Sequence, residues 1–319
     1  MAFTPEAAAA VLRCWDIAFV RVHPDLDPPG SPDRTLDRAV VEDDRGRLFR
    51  LEKIGFLNVE RKNEIGRIQA VLGRRLPEVI PPLALPNGTF VAEIDEAFWQ
   101  ATPFVEGVPL VRPAYAGNGW RGPVLADFLS RLKAAEAERP ASDRLPDFSA
   151  GCFISDLEQK IEHRDSVLMN RLRPAVRRLE EKFFPAEDAL PSGFAHGDFH
   201  PLNVVWSESG MRAVVDWEFC GWKPELYDAA LLVGCLGMEH PKFLDGDFVH
   251  GLLDRLRANA AYADSSWKAF FDLVLALRFA WLSDWLRRSD LEMIELETVY
   301  IGLLLEHRDF FIRRWRLPS

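Results

Sequence analysis

The sequence predicts an α+β fold in two lobes, a small antiparallel β-rich lobe over residues 1–102 and a larger helical lobe over 103–319. Three observations carry this. Turn-punctuated apolar stretches crowd the first hundred residues. Long stretches of helical periodicity fill the rest. One short hairpin interrupts the helical half, and an unusual set of polar residues surrounds it.

Taken in order, Thr4-Pro5-Glu6 opens a helix, with Thr as N-cap and Pro in the first turn before a run of alanines. Between His23 and Asp37 the density of Pro, Asp, Gly and Ser predicts a loop. Residues 38–42 and 47–54 predict two strands around the turn Asp43-Asp44-Arg45-Gly46. Residues 58–72 read as a helix, with Val59, Ile65, Ile68 and Leu72 roughly along one face. A second strand pair is predicted at 89–94 and 98–105. Beyond Gly107 helices are predicted over 124–139, 155–184, 225–235, 247–261, 266–288 and 291–315, with the hairpin at 203–216 between them.

Composition narrows the function classes. Hydrophobic residues make up 48% of the 319 and charged residues 28%, an ordinary globular balance. The net charge of −10 argues against a nucleic-acid or anionic-membrane partner, since both need a basic footprint. Cys14, Cys152, Cys220 and Cys235 are scattered with no Cys-x-x-Cys pair, which points to a reducing compartment without a structural zinc site. The apolar run at 7–12 is short and lacks a basic segment before it, so it does not read as a signal peptide. No charge-free stretch of about eighteen residues predicts a membrane span. The expectation is a soluble cytoplasmic protein that acts on a small cationic or neutral molecule.

The chemistry concentrates in His196-Gly197-Asp198-Phe199-His200-Pro201-Leu202-Asn203 and Val214-Val215-Asp216-Trp217-Glu218. Asn203 follows Asp198 by five residues, and Asp216 closes an apolar run thirteen residues later. This spacing suits phosphoryl transfer. Asp198 can orient a hydroxyl and take its proton. Asn203 and Asp216 offer the oxygen ligands that magnesium prefers when phosphates supply the others. A bland reading makes the segment a polar turn before a strand. A rival chemical reading uses the alternation of His196, Asp198 and His200 to hold zinc, but the other histidines show no paired spacing to complete such a site. As partners of the phosphoryl-transfer reading, His196 and His200 brace the loop or touch substrate from the side.

These residues resemble the catalytic core of the aminoglycoside phosphotransferase and choline kinase family, which shares the protein-kinase-like fold. The family motif His-Gly-Asp-(Leu/Phe/Tyr)-His-x-x-Asn is matched at every defined position. Pro224-Glu225-Leu226-Tyr227-Asp228-Ala229-Ala230 is similar to the family's Pro-x-x-Asp-(Leu/Val)-Ala segment. The resemblance implies an ATP- and Mg2+-dependent kinase in which Asp198, Asn203 and Asp216 are catalytic, Asn203 and Asp216 hold the metal, and Asp228 braces the loop. An acid favoured by a helix dipole is the plainer reading of Asp228.

Elsewhere the resemblance is looser. It implies a strand Lys that touches the phosphates and a helix Glu that holds it, which points to Lys53 and Glu64, with Glu60 a competitor. The alternation of the strand is awkward, because Arg50 and Glu52 share one face while Phe49, Leu51 and Lys53 share the other. The segment 27–35 departs from the family's phosphate-covering turn, since three prolines stiffen it and remove donors; Ser31, Arg34 and Thr35 remain as contacts. The segment 101–107 resembles the family hinge, with Phe104 and Val105 flanking the base and backbone groups reading its edge, which leaves ATP versus GTP open.

Acceptor contacts are expected from the helical lobe. The stripe Trp267, Phe271, Val274, Arg278, Trp281 and Trp285 follows helical spacing, and Arg278 interrupts an apolar face. A buried Arg needs a partner, so Arg278 pairs with a carboxylate, Asp228 being one candidate, or faces substrate. Trp281 and Trp285 stack on the acceptor or fill the core. Trp222 and His240 are further candidates. The segments 92–106 and 49–54 are faintly similar to the family's sugar-kinase branch, which includes N-acetylhexosamine kinases. The implied activity is transfer of the γ-phosphoryl group of ATP to a hydroxyl of a sugar, amino alcohol or aminoglycoside-like acceptor. A catalytically silent nucleotide-binding module is the rival from another class. A protein kinase fits poorly, because Asp228 follows Asp216 by twelve residues and leaves little room for a peptide-docking segment.

Overall fold

The computed structural model describes residues 4–26, 35–135, 149–259 and 262–318. The proline-rich segment with Ser31 and Arg34 lies outside the described residues, as does the end of the helix predicted over 124–139. The chain divides into two compact units. One comprises the residues up to Leu110 together with Pro201–Phe219; the other comprises Val111–Ala134, the residues up to His200, and those from Cys220 onward. The hairpin expected with the helical lobe thus groups with the small unit.

In the first unit, helix α1 (Pro5–Leu12) starts where its composition says it should, with Thr4 Oγ1 accepting the Ala7 N–H at 3.2 Å. Strands β1 (Phe19–His23), β2 (Asp37–Asp43), β3 (Leu48–Ile54), β4 (Ala92–Ile94) and β5 (Ala97–Pro103) form one antiparallel sheet ordered β1-β2-β3-β5-β4. Strand β1 was not foreseen; its half-exposed residues carry little apolar alternation.

The sheet has two unlike faces. Val41, Phe49, Leu51, Trp99 and Ala101 form a core with Ala8, Val11 and Leu12 of α1. Alternation therefore turns Arg50 and Glu52 of β3 to the opposite face, beside their cross-strand partners Thr102 and Gln100 of β5.

Helix α2 (Val59–Leu72) is fixed against the segment before β4. Asn63 Oδ1 accepts the Phe90 N–H at 2.6 Å, and Gly66 lies so close to the Phe90 ring that an added Cβ would come within 2.5 Å of Cγ. The hairpin β7 (Val204–Trp206) and β8 (Met211–Val214) joins this unit through bridges from Val79 to Val214 and from Val108 to Trp206.

The second unit is mostly helical. It holds α3 (Arg121–Ala135), α4 (Ala150–Arg164), α5 (Ser166–Lys182), the short α6 (Phe184–Glu187), α7 (Tyr227–Glu239), α8 (Asp247–Asn259), α9 (Asp264–Arg288), α10 (Leu291–Glu306) and α11 (Arg308–Arg314). A two-stranded ribbon pairs β6 (Ser192–Ala195) with β9 (Gly221–Pro224). The single helix expected over 155–184 is broken, because Asp165 leaves helical geometry and caps α5 by accepting the Leu168 N–H at 2.9 Å. The helix expected over 291–315 is likewise two, parting at His307. Helix α9 packs on α7 and α10, and its inner face from Phe270 to Phe279 is buried throughout. Among the described residues no helix is long and apolar enough to cross a membrane.

Candidate active site

The motif straddles the two units, since the chain passes from the second to the first between His200 and Pro201 and returns between Phe219 and Cys220. Each part is built by different means.

In the second unit, β6 delivers the turn His196-Gly197-Asp198. Gly197 sits at φ +85°, a left-handed conformation that glycine adopts without strain. The Asp228 carboxylate, at the start of α7, accepts two buried amides of that turn, His196 N–H at 2.7 Å and Gly197 N–H at 2.8 Å. Burial pushes the Asp228 carboxyl up from its ordinary value, while the His196 ring, the two amides and the Lys223 ammonium pull it back. His196 is fully buried, its Nδ1 accepts the Asp198 N–H at 3.2 Å, and its ring meets Phe199 edge-on. That nitrogen is therefore spent on the turn, which suits bracing better than metal ligation.

Asp198 keeps 18% of its side-chain surface exposed, and His200 Nε2 lies 3.6 Å from its Oδ1. The His200 ring is 6.0 Å from that of Trp281, which is 6.0 Å from Trp285 at an interplanar angle of 30°. Asp198 thus lies beside the first of three rings that follow one another, His200, Trp281 and Trp285.

Arg278 does not reach Asp228. Its guanidinium donates two parallel bonds of 2.7 Å to Glu297 on α10, and both residues are at most 2% exposed. Sequence spacing identified a buried Arg in need of a carboxylate but could not choose among the acids. Trp222 is half-buried beside Lys223 on β9, and His240 caps the turn after α7 by accepting the Lys242 N–H at 3.1 Å.

In the first unit, Asn203 and Asp216 are brought to one end of the hairpin. The Val215 N–H donates to the Asn203 carbonyl at 2.9 Å, and Val214 N–H to that of Glu78 at 2.8 Å. Asp216 sits at φ +63°, a conformation costly for a residue with a Cβ. The following Trp217 is buried and donates its indole N–H to the Val214 carbonyl at 2.9 Å, which pins the turn.

A cavity opens here, lined entirely by this unit. Arg50, Glu52, Gln100 and Thr102 come from the sheet, Lys62, Ile65 and Gln69 from α2, Phe104 and Val105 from the connector, and Val214 through Glu218 from the hairpin end. Pro103 stands opposite Phe49, while Phe104 N–H donates to the Leu48 carbonyl at 2.9 Å. The neighbouring pair therefore bonds across the ladder, and Pro103 occupies a position where a missing N–H costs nothing.

The structure separates Lys53 and Glu64 from this cavity. Lys53 belongs to the α1 face of the sheet, where its ammonium lies 5.7 Å from the Trp99 ring. Glu64 accepts from Arg67 at 2.9 Å. The charged residues that do line the cavity on the strand and helix are Arg50, Glu52 and Lys62. The Arg50 Nη2 lies 3.1 Å from Glu52 Oε2, and Lys62 is ion-paired with Glu218. Sequence reasoning missed all three as cavity residues; the shared strand face of Arg50 and Glu52, and the helical spacing of Lys62, Ile65 and Gln69, are the signals that point to them.

A carboxylate and an amide oxygen at one hairpin end fit a magnesium ion that takes its other ligands from phosphate and water. Among the described residues no three of His, Cys, Asp and Glu gather as a protein-only metal cage.

The fold has solved counterparts. The microcompartment-associated aminopropanol kinase superposes with a TM-score of 0.71 at 14% identity, over 96% of this chain and 98% of that one. Amicoumacin kinase hAmiN, solved with AMP-PNP, Ca2+ and Ami, gives 0.65 at 15% identity, over 93% and 92%. The GDP complex of aminoglycoside 2'-phosphotransferase-IIIa gives 0.63 at 15% identity, over 95% and 98%. No curated protein matches the sequence. The model of the phosphotransferase enzyme family matches residues 34–265. With that match covering most of its length and a protein-kinase-like α+β fold beneath it, the chain belongs to the phosphotransferase enzyme family, kinases that act on hydroxyl groups of small molecules.

Proposed function

We propose that the protein transfers the γ-phosphoryl group of ATP, in a magnesium-dependent reaction, to a hydroxyl of a sugar, amino alcohol or aminoglycoside-like acceptor. The observation that carries this is the cavity of the first unit, which gathers the connector residues Phe104 and Val105, buried charges and Asp216. Phe104 and Val105 flank the base, and backbone groups of the connector read its edge. Two cations, Arg50 and Lys62, face three carboxylates, Glu52, Asp216 and Glu218. That balance repels a polyphosphate on its own, so the nucleotide binds together with a divalent cation. Asn203 and Asp216 supply the ligands for it, and the metal neutralises charge that develops on the transferred group.

Asp198 is the group that orients the acceptor hydroxyl and receives its proton. Asp228 and Gly197 hold the turn that presents it, and catalysis draws on this positioning. His200, Trp281 and Trp285 offer ring faces and an imidazole to the acceptor, a surface suited to the apolar face of a sugar or to a cationic amine.

The test is ADP formation by the purified chain with ATP and magnesium across hexoses, hexosamines, amino alcohols and aminoglycosides. The account expects at least one acceptor to accelerate ADP formation and Asp198→Asn to remove the gain. Saturable nucleotide binding without turnover on any acceptor supports the silent module instead.

A further inference from the structure

We propose that Lys62, on α2, is the residue that holds the phosphates of the bound nucleotide, so that the phosphate-binding cation of this chain stands on the helix and not on the strand. The proposal rests on the nucleotide-binding reading above and deepens it by naming a contact outside the motif.

The geometry of the first unit leads there in three steps. On β3, the face that carries Lys53 is filled by Trp99 and α1, so that lysine is on the wrong side of the sheet. The cavity face instead carries Arg50 and, one repeat further along the strand, the buried carboxylate of Glu52. On α2, the residues that line the cavity are Lys62, Ile65 and Gln69, a single helical stripe. Glu64 falls off that stripe.

Lys62 is only 7% exposed. An ammonium is rarely so buried unless an anion is at hand. Its partner is Glu218, two residues beyond Asp216 on the same pinned turn. The neighbouring Arg61 donates from Nη2 to the Glu218 carbonyl at 2.7 Å. Two consecutive cations of α2 therefore grip the turn that presents Asp216, and the Lys62 side chain lines the same cavity as the carboxylate proposed to hold the metal. Arg50 is the other cation of the cavity and, like Lys62, pairs with a carboxylate; what sets it apart is its place opposite Thr102, next to the connector that takes the base. The division of labour follows. Arg50 and Glu52 serve the base end, and Lys62 serves the phosphate end. An ammonium suits that task as a compact charge on a flexible stem.

The experiment titrates the full chain calorimetrically with adenosine, ADP and magnesium–ADP, which separates base contacts from phosphate contacts. Wild type is expected to gain affinity from adenosine to magnesium–ADP. In Lys62→Met that gain falls about ten- to a hundredfold, while adenosine affinity stays within about twofold. The double variant Lys62→Met/Glu218→Gln leaves no unpaired buried charge; it is expected to unfold cooperatively and to show the same selective loss. A folded single or double variant that keeps the wild-type gain overturns the proposal and leaves the nucleotide reading intact. Loss of the gain in Lys53→Met rather than in Lys62→Met overturns it as well. A wild-type chain that binds none of the three overturns both.

Discussion

The Asp228 carboxylate accepts the Gly197 N–H at 2.8 Å across thirty-one residues of sequence, and a second bond of 2.7 Å to His196 N–H makes the grip two-pronged. Removing the carboxylate orphans two buried donors. Asp228→Ala is expected to cost about 3 kcal/mol or more of stability. Asp228→Asn retains one acceptor and is expected to fold, with kcat lowered at least about tenfold and KM for nucleotide little changed. Steady-state kinetics together with urea unfolding checks both.

A Cβ at position 66 would overlap the Phe90 ring, with 2.5 Å to Cγ and 2.8 Å to Cδ2. Gly66→Ala gains helix propensity of up to about 1 kcal/mol but forces α2 off its seat at a typical cost of about 1–3 kcal/mol. The expected outcome is net destabilisation in urea unfolding, with weaker magnesium–ADP binding because Lys62 rides on the same helix.

Arg278 and Glu297 form a buried, bidentate pair. Breaking one side strands the other charge. Arg278→Met is expected to cost about 3–5 kcal/mol, whereas Arg278→Met combined with Glu297→Leu restores most of it, because apolar replacement of both partners is close to neutral. A double-mutant cycle by chemical denaturation measures this. Additive losses contradict the pairing.

Glu225 supplies a pH dependence. Burial pushes its carboxyl up, but the Lys133 ammonium at 2.6 Å, the Ala263 N–H at 2.6 Å and the Ser266 hydroxyl at 2.8 Å outweigh it, so the group lies below its ordinary 4.5. A depressed acid binds fewer protons folded than unfolded. Its contribution is therefore complete above pH 4.5 and is lost as pH falls through the lower folded value. Glu225→Gln is expected to be less stable than wild type at neutral pH, with the two stability curves converging in acid. Parallel curves down to the acid transition contradict the assignment.

What the sequence discloses and what it hides divide along physical lines. The segment His196 to Asn203 and Asp216 are legible because spacing along one stretch of chain encodes them, and Asp228 because its segment resembles that of the family. The β2–β3 hairpin is legible because Asp43-Asp44-Arg45-Gly46 is turn chemistry, and α1 because Thr4 and Pro5 mark its start. Contacts that depend on the meeting of distant elements are hidden. Glu297 is one of many acids that could meet Arg278, and nothing local selects it. The pairing of Lys62 with Glu218 joins a helix of the first hundred residues to the hairpin turn. Lys53 misleads because family likeness favours a strand lysine, whereas alternation, with Phe49 and Leu51 buried against α1, assigns it to the covered face. The break at Asp165 was hidden by apolar periodicity that runs on across it.

The most direct test of the central claim is ADP formation with ATP and magnesium across the acceptor panel, for wild type and Asp198→Asn side by side. The account predicts that one class of hydroxyl compound accelerates wild type, that Asp198→Asn loses about a hundredfold or more of that rate, and that its nucleotide affinity is unchanged. Acceptor-stimulated turnover that survives intact in folded Asp198→Asn contradicts it.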